Sequence, residues 1–272
     1  MARQALTVIV PTHNERQHIH AVLASVRFAD EVLVVDSYSD DGTAEQAEAL
    51  ADRVIQREYE YSASQKNWAI PQAKHEWILL VDADERVGPE LQAEIKRVLS
   101  QDLIPEHSFW IKRKNFFLGK HIRYSGWQND RVIRLFRRDC RYADKRVHAE
   151  IENGQPIGTL EAALDHYTAS SLRAYLPKWD RYSTWKAEMA FERGVRPNMT
   201  HFIAEPGWRF FRHLFFQRGI LDGPHGLVIA ALESVSVFMR YIKLWGMWQE
   251  KEAKSNTIPP AKTGSDNSDG KV

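Results

Sequence analysis

The sequence predicts an α/β fold, a mostly parallel, Rossmann-like sheet with helices on both faces, followed by an aromatic-rich helical region. Two observations carry this expectation. Between Leu6 and Asp82, short apolar runs alternate with stretches of helical period, and from Ser170 onward the helical period takes over. Runs that are apolar on both faces belong to strands covered from both sides, and β-α repeats of that kind build parallel sheets. In order, Leu6–Val10 reads as a first strand, and a helix begins near Asn14-Glu15 with Ile19, Val22, Leu23 and Val26 at helical spacing. Glu31–Asp36 is a second strand ending on a carboxylate, Ser37–Gly42 has turn chemistry, and Thr43–Ala51 is helical. Arg53-Val54-Ile55 is a short third strand, Ser64–Ala73 a helix, and Glu76–Asp82 a fourth strand. Residues 109–117 and 131–138 add further strands, the second too mixed in polarity for full burial.

At 272 residues the chain exceeds one small compact domain. It divides into an α/β unit over 1–168, a helical region over 169–254, and a tail over 255–272 whose Pro/Gly/Ser/Asp/Lys-rich composition predicts disorder. Net charge is only +1, but it is unevenly spread. Residues 1–111 hold 10 Lys/Arg against 19 Asp/Glu, and residues 112–148 hold 12 against 3. An acidic half suits a cation and a basic middle suits phosphates or an anionic surface; no nucleic-acid-binding motif accompanies that charge, so no nucleic-acid partner is expected. Cys140 is the lone cysteine and reads as a small apolar strand residue in a reducing compartment. Met1–Gln4 run straight into the first strand without the apolar stretch and cleavage site of an export signal, so a cytoplasmic location is expected.

In open α/β sheets, ligands bind beyond the carboxyl ends of the strands. Thr12, Asn14, Asp36, Asp82 and Asp84 all lie at or just past such an end. Residues two apart on a strand share a face, so Asp82 and Asp84 can converge on one hard cation or one nucleotide. Mg2+ and Mn2+ favour carboxylates and take their remaining ligands from water and substrate phosphates. Pro11–Glu15 and Val34–Thr43 each read equally as a helix cap or turn, or, for Asp36, as an acceptor for a ribose or base.

Three stretches in order, Val-Ile-Val-Pro-Thr-His-Asn-Glu, Val-Asp-Ser-Tyr-Ser-Asp-Asp-Gly-Thr and Leu-Val-Asp-Ala-Asp-Glu, resemble the family 2 glycosyltransferases over roughly the first half of the chain. A closer resemblance is to bacterial lipopolysaccharide core β-1,4-glucosyltransferases. It rests on Gln65-Lys66-Asn67, Asp82–Glu85, Arg134–Arg137, Val147-His148-Ala149-Glu150 and Leu221-Asp222-Gly223. The resemblance implies a glycosyltransferase A fold that holds a UDP-sugar and Mg2+ or Mn2+. Carried over by position, Thr12, Asn14, Glu15 and Asp36 meet uridine and ribose, with Lys66 nearby. Asp84 holds the metal and Asp82 supports metal or nucleotide. His148 is a candidate contact for the diphosphate, and Arg134 and Arg137 are candidate contacts for phosphate or acceptor. An inverting transfer needs a carboxylate to take the acceptor proton. The acidic pair that many members carry after a Phe-Arg-Arg strand is missing, which leaves Glu150 as the first candidate base and Asp130 as the second.

The resemblance therefore implies transfer of a hexose, glucose by preference, to a lipid-linked saccharide of the lipopolysaccharide core. A polyprenyl-phosphate sugar transferase and a non-catalytic scaffold that keeps the fold are the alternatives. Residues 207–218 interleave five aromatic side chains with Arg209, Arg212, His213 and Arg218, the mixture of an interfacial helix. Leu227–Met239 is too short to span a bilayer, so the expectation is peripheral attachment to the cytoplasmic face of the inner membrane.

Overall fold

The computed structural model describes residues 3–146, 149–169 and 171–257, without the side chains of Ala174, Lys178 and residues 255–257. One nine-stranded sheet organises them, with strand order β3-β2-β1-β4-β8-β6-β9-β5 and β7 paired to β6. The strands are β1 (Leu6–Thr12), β2 (Glu31–Asp36), β3 (Arg53–Gln56), β4 (Trp77–Leu80), β5 (Glu85–Val87), β6 (Ser108–Phe117), β7 (Lys120–His121), β8 (Arg131–Arg137) and β9 (Ile157–Ala169). Helices α1 (Arg16–Val26), α2 (Thr43–Glu48), α3 (Ser62–Ala69) and α4 (Pro89–Leu99) belong to the α/β unit. Helices α5 (Leu172–Glu192), α6 (Met199–Phe211) and α7 (Pro224–Thr257) form the C-terminal region.

The parallel half of the sheet is the part built from continuous apolar runs. Val8, Ile9, Val10, Leu33, Val34, Val35 and Trp77–Val81 are all fully buried, because helices cover both faces. Alternate residues feed two separate cores, Val8, Val10 and Leu79 on one face and Ile9, Ile78 and Leu80 on the other. Cys140 is fully buried in the second core, and burial pushes its thiol up to about 11. Register then levels the strand ends: Thr12 pairs with Asp36, and Ile9 with Leu80. Continuing that register by two residues sets Asp82 beside Pro11.

The other half departs from the β-α rule. β8 runs antiparallel between β4 and β6, and β9 pairs parallel with β6 and antiparallel with β5. β8 is more deeply buried than its mixed sequence suggests, because Arg134 turns inward and is only 4% exposed. β9 brings His166, Tyr167 and Thr168 opposite Asn115 and Phe116 of β6.

Asp222 fastens the C-terminal helices to the sheet. Its carboxylate accepts bonds from the backbone N–H groups of Arg123 and Tyr124, both at 3.0 Å, and from the Ser125 hydroxyl at 2.8 Å. Its carbonyl accepts from Lys120 Nζ at 2.8 Å. Next to it the chain crosses itself so closely that a Cβ on Gly226 would stand 1.8 Å from the Gly219 carbonyl oxygen, which only glycine permits. α6 continues into a π-helical turn over Arg212–Phe216. Around this corner Trp208, Phe211, Phe215, Phe216, Ile220 and Leu221 are all more than half exposed, with Phe216 at 72%. Among the described residues no helix is long and apolar enough to cross a membrane.

Candidate active site

A cleft of about 900 Å³ opens at the carboxyl edge of the parallel strands. Its sheet-side wall includes Thr12, Asn14, Glu15, Lys66, Asp82 and Asp84, six of the residues singled out in the sequence. Two buried polar atoms of this wall, Thr12 Oγ1 and Gln65 Oε1, have no hydrogen-bond partner among the described residues. Buried polar groups are ordinarily paired. A wall with unpaired ones is chemically suited to the hydroxyl and amide groups of a nucleoside.

The loops that bring these residues together are held by short side-chain bonds. Asn14 has a left-handed backbone, φ +55°, which asparagine tolerates better than most residues. Its Oδ1 accepts from the Asp40 N–H at 3.0 Å, and its own N–H donates to Ser39 Oγ at 2.9 Å. Asp36 is fully buried and accepts from the Ser39 N–H and Oγ and from Gln56 Nε2. It stands outside the cleft lining and shapes the loop that faces Asn14.

Asp82 and Asp84 divide their partners. The Asp82 carboxylate contacts the Arg134 guanidinium and lies 3.4 Å from Lys66 Nζ. Burial holds the Lys66 ammonium below its usual pKa, with Asp82 opposing that shift. Arg134 also donates to Glu85 Oε1 at 2.7 Å, while Glu85 Oε2 accepts from the Asp82 N–H at 2.9 Å. Burial disfavours the Arg134 charge, but Asp82 and Glu85 outweigh it and hold that charge firmly. Arg134 thus braces the acidic motif from behind, outside the cleft lining. Arg134→Ala leaves the fully buried Glu85 without its closest cation, and a loss of about 3–5 kcal/mol is expected. Urea unfolding measures it; a loss below about 1 kcal/mol would refute the brace.

Asp84 faces a different neighbour. Its Oδ2 lies 3.6 Å from His166 Nε2. His166 Nδ1 is 2.6 Å from Asn115 Oδ1, and Asn115 Nδ2 donates to Asp130 Oδ2 at 2.8 Å. The chain of donors is determinate. Asp130 only accepts, so Asn115 turns its NH2 there and its oxygen to His166. Nδ1 must then carry the proton, and in the neutral ring the Nε2 lone pair is left for the Asp84 side. A metal-ligating imidazole has this arrangement. The Asp84–His166 pair is chemically suited to hold a divalent cation. Among the described residues no group of three or more His, Cys, Asp or Glu is placed to hold a metal alone.

The two carboxylates read as bases are placed differently. Arg113 holds Asp130 through two bonds of 2.9 Å. Burial raises its pKa, but Arg113 and Asn115 together bring it below the usual carboxylate value. Glu150 is exposed, on the segment between Tyr142 and Ile151, and outside the cleft lining. His148 lies outside the described residues. The sequence reading missed His166, Arg113 and the α5 residues Trp179, Tyr182 and Lys186, all of which line the cleft. His166 carried no motif; its signal is its place in β9, beside Asn115 in register.

Comparison with known proteins agrees with this architecture. The family model for glycosyl transferase family 2 matches residues 7–139. An uncharacterized glycosyltransferase of Rickettsia bellii (strain RML369-C) is 27% identical over 261 residues, 88% of this chain and 85% of that protein. A lipopolysaccharide core biosynthesis glycosyltransferase, LpsC of Rhizobium meliloti (strain 1021), is 27% identical over 250 residues, 88% of this chain and 92% of its own. Among solved structures, a mannosyltransferase, PcManGT from Pyrobaculum calidifontis, was determined with GDP-mannose and Mn2+. It is 17% identical, covers 92% of this chain and 89% of its own, and superposes with a TM-score of 0.51. Residues 7–139 thus carry a domain that matches glycosyl transferase family 2, and relatives similar over 88% of the chain are named glycosyltransferases.

Proposed function

We propose that this glycosyltransferase moves a hexose, glucose by preference, from a UDP-sugar to a lipid-linked saccharide of the lipopolysaccharide core, with inversion. The observation that carries the reading is the single cleft that gathers Thr12, Asn14, Glu15, Lys66, Asp82 and Asp84 at the parallel strand ends. The unpaired Thr12 and Gln65 atoms take nucleoside hydrogen bonds, and Lys66 adds positive charge beside the diphosphate. Asp84 and His166 hold the divalent ion, which neutralises charge on the departing diphosphate. An imidazole ligand favours Mn2+ over Mg2+, a hard ion that takes oxygen.

Asp130 is a poor proton acceptor because of its bonds to Arg113 and Asn115, so the base falls to Glu150 on the family resemblance, although it stands outside the cleft lining. The kinship with LpsC supports the core saccharide as acceptor. The exposed aromatic corner supports docking on the cytoplasmic face of the inner membrane, where a lipid-linked acceptor lies. The test is UDP release from a panel of UDP-sugars, with and without Mn2+, in the presence of core lipopolysaccharide. One donor is expected to release UDP in a Mn2+-dependent way, with Glu150→Gln slower by about 10²-fold or more. If no UDP-sugar is turned over, the reading is wrong.

A further inference from the structure

The cleft has a second wall, formed by α5 and α7. Tyr175, Trp179, Tyr182 and Lys186 line it at spacings of four, three and four residues, so they form one stripe on α5. Arg181 and, from α7, Glu233 stand on the same wall. Nothing in the donor half needs these groups, and their chemistry is that of a saccharide site. Aromatic faces cover the apolar face of a sugar ring. The Trp179 indole N–H is shielded from solvent and has no hydrogen-bond partner among the described residues. A shielded donor left unpaired is costly, so a ligand oxygen there stabilises the wall.

The charge on this wall has one sign in excess. Lys186 and Arg181 are both exposed to the cleft. Crowding disfavours the Lys186 ammonium; Glu233 supports it, and Arg209 and Arg240 repel it. Its pKa is held below the ordinary lysine value, chiefly because burial disfavours the charged form. On the cleft wall itself Lys186 and Arg181 face the single carboxylate of Glu233, which suits an anionic ligand.

We propose that this wall is the acceptor subsite, and that it selects a saccharide bearing an anionic substituent, a phosphate or a carboxylate. Lys186 and Arg181 bind the anion, Trp179 and Tyr182 cover the ring, and the indole N–H donates to a sugar oxygen. The inference rests on the sugar-transfer reading of the same cleft and names the class of its acceptor.

The test uses the full-length protein with delipidated core oligosaccharide in three forms: native, dephosphorylated and carboxyl-reduced. Lys186→Met and Arg181→Met should each raise the acceptor KM roughly tenfold or more. The KM for UDP-sugar and its slow hydrolysis without acceptor should not change. With wild type, one of the stripped acceptors should show the same loss, and on that acceptor the variants should lose nothing further. Which one does so separates phosphate from carboxylate. Trp179→Phe keeps the ring and removes the N–H; it should raise acceptor KM alone and melt at the wild-type temperature. Equal acceptor KM for all three oligosaccharides, or for wild type and Lys186→Met, overturns the inference while donor hydrolysis remains intact. Absence of donor turnover by wild type would instead refute the sugar-transfer reading beneath it.

Discussion

Asp84→Ala is expected to lower sugar transfer by about 10²–10³-fold and to abolish measurable Mn2+ binding in the presence of UDP. In the proposed site Asp84 and His166 are the two protein ligands offered to the cation, 3.6 Å apart and both shielded from bulk water. Removing the carboxylate leaves one imidazole and removes the negative charge that anchors the ion beside a diphosphate. His166→Ala should act in the same direction. Asn115→Leu is the more discriminating variant, because Asn115 stands behind His166. Without its oxygen the His166 tautomer is no longer fixed, and Mn2+ affinity should fall by about 10–100-fold. Calorimetric titration of Mn2+ into protein with UDP reads both effects without requiring turnover. Unchanged Mn2+ affinity in Asp84→Ala would move the cation elsewhere in the cleft.

The donor half of this site was legible in the sequence, and the reason is geometric. Parallel strands put every carboxyl end on one edge, so residues after apolar runs converge without knowledge of the loops. Thr12, Asn14, Asp82 and Asp84 were readable for that reason, Lys66 only through the family resemblance, and the cleft lining contains all five. The neighbouring Glu85 and Arg134 were not legible in the same way. The mixed polarity of β8 argued against full burial, whereas Arg134 is turned inward by two carboxylates contributed from 49 and 52 positions away. Asp36 ends a strand as a ligand-binding residue would, yet its carboxylate is taken up by its own loop. The second wall was beyond sequence reasoning altogether. His166 reaches the site only because β9 inserts parallel to β6, a pairing between segments 51 residues apart with no periodic signature. On α5 an aromatic stripe reads as core, and only the packing of α5 and α7 against the sheet opens it to the cleft.

Replacing Phe215 and Phe216 together by serine should weaken binding to phosphatidylethanolamine–phosphatidylglycerol vesicles by about 30-fold. The estimate takes about 1 kcal/mol for each ring, roughly half the value for complete burial, because both are already partly covered. Their surroundings favour an anionic bilayer as the occupant of this corner. Residues 206–221 carry Arg209, Arg212 and Arg218 and no Asp or Glu. Trp208 is 58% exposed and packs against the Phe216 ring at 5.4 Å, so the aromatic groups present one surface. α7 links that surface to chemistry: Glu233 and Ser236 line the cleft while Val235 and Phe238 of the same helix are exposed. A bilayer docked under the exposed side would hold the proposed acceptor wall within a helix diameter of the lipid headgroups. Arg212→Gln with Arg218→Gln should cost about 1 kcal/mol each and flatten the salt dependence. Transfer to delipidated oligosaccharide should be unchanged in all four substitutions, since none of these residues lines the cleft. Vesicle co-sedimentation at several salt concentrations decides the matter. Equal sedimentation of wild type and the serine variant would refute membrane docking by this face. If instead wild type is dimeric and the serine variant monomeric by light scattering, with neither sedimenting, the face joins two copies of the chain.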